Sequence, residues 1–268
     1  IRDLLNSRAS GSPIVYRQSI KQVAKAAADG GIVHQFVMAI ASRDSFAPPE
    51  VRISEETRSK YLSNSRDKIR TLAEVKGNGL AWYLLSLEKN DYKLLKRAAD
   101  AKNVQALNAW GTLLLTEALA GNSIETNDVD EVMSKCFICF KEAALQGDSN
   151  GLYNMGMCYM NGYGCKRDRD LALNAFRTAA EKGHPEALNN IGGFYRDGNI
   201  VRRNLALAAQ FFEKSAALGN AYGQLNLALA LLRGEGVAKD ERRAVELLRE
   251  SVGQSNAEAM NALGMCYY

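Results

Sequence analysis

Between residues 184 and 219 apolar side chains recur on a helical period that is interrupted once. Leu188, Ile191, Gly192 and Tyr195 fall at i, i+3, i+4 and i+7. After a polar gap, Ala208, Phe211, Phe212, Ser215 and Ala216 line one face in the same way. The pattern predicts two short antiparallel helices. Asn204 stands just before the second run, where a helix wants an N-cap oxygen. Pro185 falls in the first turn of the first helix, where no N–H has to be donated. Gly183 and Gly219 sit where second helices should close, a place suited to left-handed backbone.

The same arrangement returns at steps of 36. Gly147, Gly183 and Gly219 form one column, and Gly156, Gly192, Ala228 and Gly264 another. Ala144, Ala180, Ala216 and Val252 keep the register, as do Gly162, Gly198 and Gly234, and Tyr159, Tyr195, Leu231 and Tyr267. Asp168, Asn204 and Asp240 repeat the N-cap. A small residue at 156, 192, 228 and 264 lets the partner helix approach the backbone, and Ala143–Ala144 and Ala179–Ala180 do so from the other helix. One helix pair cannot bury its faces alone, so neighbours must stack, which predicts an all-α fold, an α/α superhelical solenoid. Upstream, Ala98–Ala99 and Gly111 match Ala143–Ala144 and Gly156 at a step of 45, with the extra nine residues in the polar stretch 121–130. Gly77, Trp82 and Ala98–Ala99 then read as a shortened pair turning at Lys89–Asn90. Residues 1–70 leave the register; helices are predicted there over 14–28, 31–42 and 55–75, with a break at Ala47–Pro48–Pro49. The domain reading is an N-terminal helical region, 1–70, holding at most degenerate repeats, followed by a solenoid, 71–268, with clear repeats from about 141. Residues 256–268 read as a first helix lacking its second, which predicts that the native chain continues.

These residues resemble the Sel1-like repeat family, a relative of the tetratricopeptide repeat. Residues 184–219 carry AL..IGGFY..G and then A..FF..SA..G, and residues 220–252 carry LALALLRGEGVAKD and then AVELL. The unit from Gly147 carries NMGMCYMNGYGCKRD and AFRTAAEKG. The likeness is specific over about 141–268, weaker over 77–140 and absent before that. Ile200 stands where the family has a second loop glycine, so that turn is expected to differ. The resemblance implies a right-handed superhelix serving as a non-enzymatic adaptor or scaffold for other proteins, commonly in signalling or membrane-associated complexes.

Composition narrows the chemistry. Thirty-four Lys and Arg against 30 Asp and Glu leave a net charge of +4, too weak by itself to argue for nucleic acid. Two histidines leave little room for histidine catalysis, and His184, just before Pro185, reads as a turn or cap residue. Cys136 and Cys139 have the spacing of half a zinc site, but Cys158 and Cys165 are seven apart, so buried thiols beside Phe137 and Phe140 are expected. Some Sel1-like proteins tie the helices of each repeat with a disulfide. Here Cys158 and Cys266 share a column that has no partner column, so no such bracing is expected. An odd cysteine count and the lack of an N-x-S/T sequon predict a reducing, intracellular and cytoplasmic setting, with organelle import left open. The NGYG and GEG strings read as turns within repeats, and no apolar run approaches the roughly 18 residues of a membrane span. Neither a catalytic constellation nor a metal or cofactor site is predicted.

Two surfaces are candidates for binding. Asn154, Asn190 and Asn226 share a column, with Asn189 and Asn261 one place earlier, on the helices expected to line a concave face. Such amides either clamp the backbone of an extended peptide or bridge adjacent repeats, and both readings stand at this point. Asn150, Arg196, Tyr222 and Arg233 would flank the ladder and select side chains of a protein partner, as part of a multiprotein complex. The alternative surface is the loop edge with Lys166, Arg167, Arg202, Arg203 and Lys239, which would bind nucleic acid. Asp168, Asp170, Asp240 and Glu241 interleave with it and favour a merely solvated edge.

Overall fold

The computed structural model describes residues 31–41, 53–122, 126 and 128–266. The helix predicted over 14–28, the Ala47–Pro48–Pro49 break and Tyr267 lie outside them. The described residues form helices and no strand: α1 (Ile32–Ala41), α2 (Glu55–Lys76), α3 (Gly79–Lys89), α4 (Tyr92–Asp100), α5 (Val104–Leu119), α6 (Val129–Leu145), α7 (Ser149–Asn161), α8 (Arg169–Glu181), α9 (Pro185–Asp197), α10 (Leu205–Ala217), α11 (Ala221–Arg233), α12 (Glu241–Gly253) and α13 (Ala257–Met265). They belong to two compact units, Ile1–Gly151 and Leu152–Tyr268.

In the second unit the predicted register holds to the residue. First helices α9, α11 and α13 begin at 185, 221 and 257, and second helices α8, α10 and α12 at 169, 205 and 241. Local chemistry fixes these starts. Asp168 accepts from the N–H groups of Asp170 and Leu171, Asn204 from Leu207, and Asp240 from Arg243. The first helices have their own caps: His184 accepts from Ala187, Asn220 from Gly223, and Asn256 from Glu258 and Ala259. After the second helices the chain turns through Gly183 (φ 78°) and Gly219 (φ 80°), a conformation that costs other residues more.

Close packing explains the column of small residues. A Cβ built on Gly192 would lie 2.5 Å from Phe212 Cε1, and one on Gly156 would lie 2.8 Å from Phe176 Cε1. Each first helix thus takes an aromatic ring of its second helix against bare backbone. In the next pair Ala228 and Leu248 replace glycine and phenylalanine within one buried cluster, a larger small residue meeting a smaller large one. Successive pairs are also stitched: Ser215 Oγ donates to the Pro185 carbonyl at 2.8 Å and Ser251 Oγ to the Ala221 carbonyl at 2.7 Å. First helices touch their successors, α9 with α11 and α11 with α13. Turn 198–204 departs from its neighbours as the missing glycine predicts. Gly162 and Gly164, like Gly234 and Gly236, both take positive φ, whereas there only Gly198 does and Ile200 stays out of that region.

The first unit follows the same rules with more variation. Its core gathers Phe36 and Met38 of α1, Ile69 of α2, and Leu84 and Leu85 of α3. Ser54 starts α2 and left-handed Gly77 ends it, matching the predicted helix over 55–75. The predicted turn at Lys89–Asn90 is present, with Asn90 in the left-handed region closing α3 before α4 begins. On α5, a Cβ at Gly111 would sit 2.8 Å from Phe140 of α6, the same aromatic-on-glycine contact at the 45-residue step.

Candidate functional site

Within the second unit, helix geometry brings part of the asparagine ladder together. The amide of Asn226 on α11 donates to Asn189 Oδ1 on α9 at 2.8 Å. Asn226 Oδ1 in turn accepts from Arg196 Nη1 at 3.0 Å. Arg196 also pairs with Asp197 and lies 5.8 Å above the Phe212 ring. Asn226 therefore spends its amide bridging two repeats, and half-buried Asn189 receives that bridge through its oxygen. Asn190 Nδ2 points to Met157 Sδ on α7 at 4.0 Å, and burial pushes up the pKa of Tyr153 on the same helix. Asn154 is half-buried on α7. Beyond the bridge, Arg233 and Tyr222 on α11 and Asn261 on α13 are exposed. Arg196, Asn226 and Arg233 line a shallow cleft together with Glu235 and Leu229. Asn150 lies in the first unit and is buried.

His184 occupies the joint between the pairs α7–α8 and α9–α10. Its side chain is 4% exposed, Nδ1 accepts from the Ala187 N–H at 3.4 Å, and the ring stacks on Tyr153 with centroids 4.5 Å apart. Accepting that N–H requires an unprotonated Nδ1, and burial lowers the imidazole pKa to about 4, so the neutral cap is the working form. Glu186 Oε2 lies 3.2 Å from the same nitrogen, and burial moves its pKa upward. The cap role expected of His184 is the one it has. Its companions Asp148, Asn220 and Asn256 went unread in the sequence, although they share its column at the 36-residue step; an imidazole among Asp and Asn hides a cap signature.

The loop edge carries Lys166, Arg167, Arg202 and Arg203 as exposed side chains. Its interleaved acids are largely engaged: Asp168 and Asp240 cap helices, and Glu241 pairs with Lys239 at 2.8 Å, which lowers its pKa. None of the five cysteines is in a disulfide. Cys136 is fully buried with Phe140 on α6, and burial pushes the Cys139 thiol up to about 12, far from a nucleophile's range. Among the described residues no His, Cys, Asp and Glu side chains group to hold a metal ion, and no helix is long and apolar enough to cross a membrane.

The sequence model described as Sel1 repeat matches residues 124–148, 149–184, 185–220, 221–255 and 257–268, more than half of the chain. The matches from 149 onward begin at the starts of α7, α9, α11 and α13. Two solved structures are similar. One is a protective antigen present in uropathogenic Escherichia coli strains and displaying an SLR fold, 28% identical, with a TM-score of 0.60 over 92% of this chain and 51% of that one. The chain therefore spans about half the length of that antigen. The other, a Sel1 repeat protein from Oxalobacter formigenes, is 24% identical with a TM-score of 0.63 over 77% of this chain and 85% of that one. No curated protein sequence matches the chain.

Proposed function

The chain belongs to the Sel1 repeat family, whose repeats typically mediate protein–protein interaction and are generally non-catalytic, and from that premise we propose that it is a non-enzymatic scaffold binding a partner polypeptide along its first helices. The observation that carries this reading is the Arg196–Asn226–Asn189 chain of hydrogen bonds. It holds polar groups of α9 and α11 in fixed positions and uses only the oxygen of Asn189, so its two amide donors are the groups an incoming backbone would meet. Rigid, pre-oriented donors lose little entropy on binding. Contacts between successive first helices support placing them on the inner, concave side of the stack. Tyr222, Arg233 and Asn261 then stand beside the polar track, where an aromatic and a guanidinium make strong contacts to a partner. The mixed helix faces and the five cysteine thiols support an intracellular setting for such a scaffold.

The substitutions that test it must avoid the bridge itself. Asn226→Ala breaks an inter-repeat contact and is expected to cost about 1 kcal/mol of stability. Tyr222→Ala with Arg233→Glu changes only exposed side chains. Proteins retained by the wild-type chain in a pull-down read by mass spectrometry should be lost by that double variant at an unchanged melting temperature. Retention of the same set by both would remove this face from the interaction.

A further inference from the structure

We propose that the loop edge of the repeat 185–220 is a pocket for a doubly charged oxyanion, the phosphorylated side chain of a partner polypeptide. The pocket is a groove of about 500 Å³ lined by Arg177 of α8, Tyr195 of α9, and Val201, Arg202, Arg203 and Asn204 of the turn before α10. Three arginines line one space, and no carboxylate does. Among the described residues none of the three arginines has an ion-pair partner. Asp197 holds Arg196 at 2.8 Å and Glu213 holds Arg243 at 2.6 Å, while Glu181, one turn beyond Arg177 on α8, does not line the groove.

Three departures from the repeat coincide at this groove. Asn204 caps α10 with a neutral amide where the neighbouring repeats use Asp168 and Asp240. No acid occurs from 198 to 212, whereas Asp170 and Glu241 follow the caps of the adjacent repeats. Ile200 replaces the second turn glycine, so this turn, unlike those at 162–164 and 234–236, has no second left-handed residue, and its Val201 and Arg202 line the groove. The floor is held in place. The Asn204 N–H donates to the Tyr195 carbonyl at 2.8 Å, Arg203 Nε donates to the Arg196 carbonyl at 3.0 Å, and the Tyr195 ring stacks on Phe211 at 5.7 Å. A guanidinium presents paired donors that match phosphate oxygens, and a dianion among three such groups is bound more firmly than a single carboxylate.

The flanking edges decide between polyanion and isolated phosphate. Lys239 is already paired with Glu241, and Asp168 and Asp170 adjoin Lys166 and Arg167. The positive charge is thus one pocket rather than a stripe, and a nucleic-acid backbone would meet carboxylates on either side. The oxyanion chemistry stands on the groove alone; its source, a partner protein, rests on the scaffold reading above.

Calorimetric titration of the protein with a short alanine–glycine peptide carrying one phosphoserine, and with its unphosphorylated twin, tests this. The phosphopeptide should bind at least about tenfold more tightly than its twin, and Arg177→Gln with Arg202→Gln should erase that preference, roughly the loss of one charge-assisted contact. Both arginines are exposed, so the melting temperature should hold. Tyr222→Ala with Arg233→Glu should leave the preference intact, which separates this pocket from the first-helix face. Equal binding of the two peptides, no binding, or a preference that survives the arginine substitutions would overturn the pocket. A single-stranded RNA of equal charge binding more tightly than the phosphopeptide at the same salt would overturn the protein source.

Discussion

Gly192 meets the Phe212 ring with no room for a methyl group, since a Cβ there would come within 2.5 Å of the ring edge. Gly192→Ala should therefore destabilise the protein by about 1–3 kcal/mol, as overpacking does, despite the better helix propensity of alanine. Phe212→Leu in the same chain should recover part of that loss, because it recreates the Ala228–Leu248 combination. A double-mutant cycle by urea denaturation measures the coupling, and strict additivity would refute the contact. His184 makes a second prediction at this scale. Its folded pKa, about 4, lies below the ordinary 6.5, so the unfolded chain takes the proton first as pH falls. Stability contributed by the neutral ring is complete above pH 6.5 and is lost on going down towards 4, by roughly 3 kcal/mol at the end of the window. Glu186 acts with the opposite sign, since its raised pKa makes its proton favour the folded state at low pH. His184→Asn supplies a capping oxygen in place of Nδ1 and removes the imidazole. Wild type should therefore lose urea stability relative to this variant between pH 7 and 4.5, and a constant difference would show that His184 does not titrate in this way.

At the level of helices, the starts of the second helices were legible because a short polar side chain recurs in their register without interruption, whereas His184 breaks the column that starts the first helices. Asp168, Asn204 and Asp240 cap α8, α10 and α12 as their spacing predicts. Asp168→Ala and Asp240→Ala should each cost about 1 kcal/mol, read as a lower urea midpoint, whereas Asp170→Ala should cost less because Asp170 only complements the helix dipole. The partner of each glycine was not legible. Phe140, Phe176 and Phe212 also recur at steps of 36, but periodicity places residues on faces without saying which opposing backbone they touch. The binding candidates divide for a similar reason. A column of amides is visible in sequence, yet whether Asn226 turns to a neighbour or to solvent depends on where Arg196 and Asn189 lie, one repeat away. Arg177 escaped notice altogether. Its column runs Arg177, Glu213, Arg249, with no repeated charge to mark it, and only the packing of α8 near the turn 198–204 brings it beside Arg202.

Over the whole molecule, stacked pairs exchange interactions chiefly with their neighbours in sequence, so stability is transmitted locally. Hydrogen exchange on Gly192→Ala should show the greatest loss of protection in α9 and α10, less in α8 and α11, and least in α13. A uniform loss across Leu152–Tyr268 would instead mark that unit as a single cooperative block. The two ways of filling the glycine column carry an implication for how such arrays grow. A crossover that joined α9 to α12 would set Gly192 against Leu248 and leave a hole. One that joined α11 to α10 would force Ala228 onto the Phe212 ring. Exchange cut within a helix pair should therefore cost packing that a cut between pairs does not, which makes the matched pair, not the single helix, the unit that can be moved intact.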